Sequence, residues 1–234
     1  MEIIAEIGQN HNGDMAIAKE LIYAAKENGA DVAKFQIYDA KALFPKTDNP
    51  WFDYNCKTEI SRDQLLMLAD VCCKAEIEFM ASVFDVERIA WLEEVGLKRY
   101  KIASRSITDQ ALIRAIAATN KPILASLGMW TDKNFPEIKA SAPVEFLYCV
   151  SKYPTDLSEL HLAAIDFTES YAGFSDHTIG ITASIVAFSR GAKTVEKHFT
   201  LDKSMYGPDH SCSMEPNDLK TLADYRTQIE TCLQ

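Results

Sequence analysis

His177 and His198 each close a short apolar run, and two carboxylates, Asp176 and Glu196, stand one and two positions ahead of them. Two imidazoles brought from neighbouring elements to one point form a pair of ligands for a divalent ion. With oxygen ligands or water completing the shell, such a pair suits Mn²⁺, Fe²⁺, Co²⁺ or Zn²⁺ better than a structural thiolate site does. A satisfied polar histidine is the competing reading of each residue alone. Glu6 stands inside an apolar first run, where a carboxylate needs a partner. Lys34 and Lys101 occupy similar runs, and each alone also fits an ammonium that snorkels between strand and helix. Together with Ser82, Ser104, Ser126, Ser151 and Ser175, hydroxyls at the ends of five successive apolar runs, they make a cradle for a phosphate or carboxylate. Gln36, Tyr153, Asn10 and Asp209 lie in or just beyond the same runs. Asn10-His11-Asn12-Gly13 and Gly207-Pro208-Asp209-His210 read first as turns, and Asp209 second as part of a substrate-contacting loop.

Eight short, β-branched runs must position these groups: residues 3–7, 31–36, 78–83, 99–103, 122–126, 144–150, 171–175 and 193–198. Between them apolar residues recur three and four apart, as in Met15, Ala18, Leu21, Ile22 and Ala25, or Leu219, Leu222, Tyr225 and Ile229. Asn28-Gly29 and Val95-Gly96 close helices, and Thr108-Asp109 opens one. Strand and helix alternating from end to end predict a single (β/α)₈ TIM barrel over residues 1–234, with an open doubly wound sheet as the runner-up. Residues that follow each strand then share one face, where barrel chemistry is done. Two units depart from regularity. Residues 51–61 read as a long loop, and Pro136 leaves the fifth helix short or absent.

The chain has 234 residues, of which 47% are hydrophobic and 25% charged, an ordinary globular composition that excludes disorder, collagen and coiled coil. Its net charge of −10 disfavours nucleic acid and anionic membranes as partners, so an anion must be held by a local site. No apolar run approaches the roughly 20 residues of a spanning helix, and no signal region follows Met1; a cytoplasmic location is expected. The six cysteines include no C-x-x-C pair and read as reduced thiols.

The stretches Ala5-Glu6-Ile7-Gly8-Gln9-Asn10-His11-Asn12-Gly13, Ala33-Lys34-Phe35-Gln36, Tyr100-Lys101-Ile102, Tyr153-Pro154-Thr155, Gly173-Phe174-Ser175-Asp176-His177-Thr178, Glu196-Lys197-His198-Phe199-Thr200 and Gly207-Pro208-Asp209-His210 resemble, in order, the barrel domain of the sialic acid (N-acetylneuraminate) synthase family. That family includes synthases for legionaminic and pseudaminic acid. The resemblance implies an enzyme that condenses phosphoenolpyruvate with the open-chain aldehyde of an N-acylated hexosamine, forming a 2-keto-3-deoxy acid and releasing phosphate. It implies a divalent metal on His177 and His198, Mn²⁺ first, with Mg²⁺, Co²⁺ or Zn²⁺ as alternatives. It implies a phosphoenolpyruvate cradle of Lys34, Ser82, Lys101, Ser104, Ser126, Ser151 and Ser175. Glu6 would serve the water, and Asp176 and Glu196 would orient the histidines.

The sequence departs from the family pattern in three places. Ser104-Arg105-Ser106 stands where Gly-Glu usually follows the serine, Ala81-Ser82-Val83-Phe84 where Thr-Pro-Phe is usual, and Ser126-Leu127-Gly128-Met129 where Ser-Thr-Gly-Met is usual. Family synthases also append an antifreeze-like domain that reaches into the partner subunit's site. A homodimer and such a domain on another polypeptide are therefore expected partners, beside a truncated chain or a single-domain branch with another acceptor. The competing functions are a lyase or isomerase on a related keto-sugar, and a catalytically weak sugar-phosphate-binding barrel.

Overall fold

The computed structural model describes residues 1–233. Eight parallel strands close into a barrel in chain order: β1 (Glu2–Gly8), β2 (Val32–Ile37), β3 (Glu78–Val83), β4 (Tyr100–Ile102), β5 (Ile123–Ser126), β6 (Val144–Cys149), β7 (Gly173–Asp176) and β8 (Thr194–His198). The closing pair, β8 with β1, excludes the open sheet. Around it lie α1 (Met15–Glu27), α2 (Ala40–Leu43), α3 (Phe52–Lys57), α4 (Arg62–Lys74), α5 (Ile89–Glu94), α6 (Gln110–Ala117), α7 (Thr182–Ser189) and α8 (Pro216–Cys232).

Local chemistry starts the helices where the sequence indicates. Asp14 accepts the Ala16 amide at the head of α1, Ser61 and Gln64 form a reciprocal capping box on α4, and Asp109 accepts two amides of α6. Each helix lays an apolar stripe on the barrel, such as Ala18, Leu21, Ile22 and Ala25 of α1. Burying each large aliphatic side chain there contributes about 1.5–3 kcal/mol.

Alternation along the strands sorts the other side chains by function, because successive residues face opposite sides of the wall. Outward residues such as Ile3, Ala5, Phe35, Ile102 and Val195 pack under the helices. Inward residues stack in layers. At the amino-terminal end Arg99 ion-pairs with Glu2 and Glu78. Above it Ile4, Val32, Met80, Leu124 and Leu147 form a separate apolar plug. Higher still, the register sets Glu6 beside both Lys34 and His198, Gln36 beside Ser82, Ser82 beside Lys101, and Ser175 beside Glu196.

Three units differ from a regular barrel. Residues 51–61, expected as loop, contain the short helix α3, whose six residues are too few to show a helical period. Among the described residues no helix separates β5 from β6, as Pro136 indicated. The sixth unit, expected to be regular, carries only two 3₁₀ turns, Leu157–Glu159 and Leu162–Ala164, because His161 between them takes the left-handed conformation at φ 47°. No helix among the described residues is long and apolar enough to cross a membrane.

Candidate active site

The cradle is a network of opposite charges. Lys34 Nζ lies 2.8 Å from Glu6 Oε2 and 3.5 Å from Glu196 Oε2, and donates to Ser82 Oγ at 3.1 Å. Lys101 Nζ donates to Ser126 Oγ at 2.7 Å and lies 3.4 Å from Glu196 Oε1, which also accepts from Ser175 Oγ at 3.0 Å. Gln36 Nε2 donates to Glu6 Oε1 at 2.8 Å. All but Gln36, which is half-buried, are buried. They enclose a cavity of about 60 Å³ that reaches both histidines.

Burial pulls the two ammonium groups down, yet only Lys101 ends below the ordinary lysine value. Lys34 is held above it by Glu196 and Glu6, both at ion-pair distance, whereas Lys101 has only Glu196 that close and the neighbouring Lys34 charge pushes it down further. For Glu196, burial pushes the carboxyl up, but Lys101 and Lys34 outweigh it and keep the group well below the usual carboxylate range.

His177 and His198 project inward above this network, with ring centroids 6.0 Å apart. His177 Nδ1 lies 2.9 Å from the Val150 carbonyl, which assigns its proton there and leaves Nε2 with a free lone pair. Burial lowers the basicity of His177, but the Cys149 sulfur, 3.7 Å from Nδ1, and the Val150 carbonyl raise it above normal. Burial depresses His198. His198 Nδ1 is buried without a hydrogen-bond partner, 4.0 Å from Asp209 Oδ2. The Tyr153 ring lies against His177 at 4.1 Å between centroids.

The residues fit a divalent ion on two imidazoles. The ring separation is within the span of two nitrogens at about 2.1 Å from one ion, and the orphaned His198 nitrogen marks a group in need of a partner. Among the described residues no cluster of three His, Cys, Asp or Glu forms a ready cage, so other ligand positions would fall to water and substrate oxygens.

Ser104 and Ser151 sit higher. Ser104 Oγ accepts from the Gly128 amide at 3.1 Å and lies 3.5 Å from Cys149 Sγ. A Cβ on Gly128 would come within 2.4 Å of Ser151 Oγ and 2.7 Å of Cys149 Sγ, so only glycine lets the β5 loop close on this corner. Ser104, Ser151, Gln36, Tyr153, His198 and Asp209 line a second, wider chamber of about 600 Å³.

Three sequence expectations need correction. Asp176 touches neither histidine. It faces outward, accepting from the Thr178 amide at 2.8 Å and Ser184 Oγ at 2.6 Å, with Lys197 Nζ at 3.3 Å. Alternation is the reason, since Ser175 and His177 take the inward positions. Glu196 does face inward, but it serves the lysines rather than orienting the histidines. Asn10 lines neither cavity: its Nδ2 donates to the Phe199 carbonyl and Ser213 Oγ, both at 2.9 Å, tying down the loop after β8.

Other residues at the site escaped the sequence reading. Cys149, beside His177, shares an inward stripe with Leu147, which could have revealed it. Gln9, Phe44, Asn49, Trp51 and Met129 from loops, Asn55 from the short helix α3 and Arg105 from a 3₁₀ turn wall the chamber, where no periodicity announces them.

A closed barrel with buried paired charges beneath two imidazoles defines an enzyme whose chemistry is done at the carboxyl ends of its strands. The chain belongs to the NeuB family, whose defining pattern matches residues 21–234, and is an enzyme of the synthase class. It is 36% identical over 258 residues to N,N'-diacetyllegionaminic acid synthase of Legionella pneumophila, covering 99% of this chain and 72% of that protein. It is 35% identical over 251 residues to N-acetylneuraminate-9-phosphate synthase of Drosophila melanogaster, covering 97% and 68%. The crystal structure of N-acetylneuraminic acid synthetase from Leptospira borgpetersenii matches with a TM-score of 0.91 at 31% identity, covering 99% of this chain and 84% of that one.

Proposed function

We propose that the enzyme condenses phosphoenolpyruvate with an N-acylhexosamine-like aldose, giving a 2-keto-3-deoxy acid of the nonulosonic type and inorganic phosphate. The observation that carries this reading is the buried Lys34–Lys101 pair with its serines directly beneath the two imidazoles. The lysines and Ser82, Ser126 and Ser175 bind the phosphate and carboxylate of phosphoenolpyruvate, and hold C3 of the enol toward the chamber. C3 attacks the aldehyde carbon. The new C–C bond leaves the carbonyl oxygen as an alkoxide and C2 as an oxocarbenium. Water then adds to C2 and gives one proton to Glu6, with Gln36 steadying the carboxylate, and that proton neutralises the alkoxide; the C2–O bond to phosphate breaks as the remaining hydroxyl proton passes to the departing phosphate, leaving the ketone. A divalent metal on His177 and His198, Mn²⁺ first, would supply Lewis-acid stabilisation of the developing alkoxide. Tyr153 covers His177 and keeps bulk water from that side.

Incubation with Mn²⁺, phosphoenolpyruvate and a panel of aldoses tests the reading through phosphate release and product mass. The expected product is three carbons longer than its acceptor. No acceptor-dependent phosphate release with any aldose overturns it.

A further inference from the structure

The outer chamber holds a guanidinium without a counter-ion. Arg105 directly follows Ser104, the serine that lines both the cradle and the chamber. Its guanidinium carbon stands 5.0 Å from the centroid of the Phe44 ring. Its one protein acceptor is the Leu43 carbonyl at 3.5 Å, the outer limit of a hydrogen bond. Among the described residues no carboxylate lies within ion-pair distance of it; Arg114 and Arg190 are likewise unpaired, whereas Arg62, Arg88, Arg99 and Arg226 each pair with at least one, and of the three unpaired arginines Arg105 is the one that lines the chamber. Its side chain is exposed at the chamber wall, so its charge is open to an anionic group that enters the chamber.

The chamber is otherwise built for a polyol. Gln9, Asn49 and Asn55 bring amide side chains, and Trp51 and Phe84 bring aromatic faces. Asp209, beside His198, is the carboxylate of its lining. An acceptor whose aldehyde lies over the cradle must extend its far end into this space. The Phe44 ring gives the guanidinium an aromatic face to rest on, and a guanidinium fork can meet two oxygens of an anion at once.

We propose that Arg105 is the distal end of the acceptor subsite and selects acceptor sugars that carry an anionic group, a phosphate monoester or a carboxylate, at the end remote from the aldehyde. The proposal rests on the condensation described above. A charge-assisted, two-point contact of this kind favours the anionic acceptor roughly 10- to 100-fold in kcat/KM.

The test uses the full chain with Mn²⁺ and phosphoenolpyruvate, and compares N-acetylmannosamine, its 6-phosphate and the corresponding uronic acid. The wild type is expected to prefer one or both charged acceptors by at least tenfold, and the pattern between them tells phosphate ester from carboxylate. Arg105→Gln should collapse that preference, and Arg105→Lys should restore part of it. Equal kcat/KM for neutral and charged acceptors overturns the proposal, as does an Arg105→Gln variant that slows all three by one factor. Thermal stabilisation by each sugar, measured with Mn²⁺ and phosphoenolpyruvate bound, is the second readout. If no sugar is turned over, the condensation reading fails. The subsite is then judged by whether only the charged sugars raise Tm, and only when Arg105 is present.

Discussion

The Glu6 carboxylate lies 2.8 Å from the Lys34 ammonium with both side chains buried, so one of the two cradle lysines is already matched by an acid before any anion arrives. Glu196 faces the other lysine, and the cradle as a whole carries no surplus positive charge. Adding a phosphate and a carboxylate there requires further positive charge nearby. Phosphoenolpyruvate binding, followed by calorimetry, should therefore tighten by about tenfold or more, about 1.4 kcal/mol, when Mn²⁺ is present. Glu196→Gln should strengthen binding without metal while lowering turnover. Identical affinity with and without the ion would show that the cradle is complete alone.

His177→Ala and His198→Ala should each remove most bound divalent ion while leaving the barrel folded, because both rings stand at strand ends above the packed layers. Elemental analysis of the purified variants, with Tm as the control, decides it. Full metal content in both would place the ion elsewhere.

Asp176 and Lys197 form an ion pair buried behind the wall. Asp176→Asn leaves the Lys197 ammonium facing a neutral side chain and should destabilise the fold by about 3–5 kcal/mol, whereas the paired change Asp176→Leu with Lys197→Met should recover much of that loss. Denaturant unfolding compares the three proteins. A single variant as stable as wild type would remove the pair from the list of structural supports.

His11 is fully buried; its Nδ1 accepts the Gly13 amide at 3.1 Å, its Nε2 has no partner, and burial lowers its pKa to about 4. The unfolded chain takes up a proton near pH 6.5 that the folded chain refuses. Stability should thus be unaffected by His11 above about pH 6.5, fall as pH drops below it, and level off below about pH 4, for a loss of about 3 kcal/mol. Urea midpoints across this range should show a shallower decline in His11→Gln. The same slope in both proteins would assign the acid sensitivity to other groups.

The cradle was legible because its members violate their surroundings. Lys34, Lys101, Ser82 and Ser175 are polar residues in strands whose neighbours are apolar, and closure of the barrel converges them. Asp176 misled for the opposite reason. It is as polar as His177 and adjacent to it, and only the alternation of the strand through His177 sends the two to different sides. The chamber walls were illegible, since Phe44 and Trp51 come from loops and Arg105 from a 3₁₀ turn, whose reach depends on how distant elements pack. The sixth unit misled as well: no proline interrupts residues 157–165, and the break comes from a left-handed residue at His161 that its side chain does not advertise.

The apolar plug of Ile4, Val32, Met80, Leu124 and Leu147, sealed below by Arg99 with Glu2 and Glu78, gives the barrel a single entrance. A vessel open at one end imposes a sequence on its contents. Under the proposed reaction, phosphoenolpyruvate must enter the cradle before the sugar that roofs it, and the cradle can refill only after the keto acid that extends into the chamber has left. Kinetic order is in this sense a property of five aliphatic side chains that never meet a substrate.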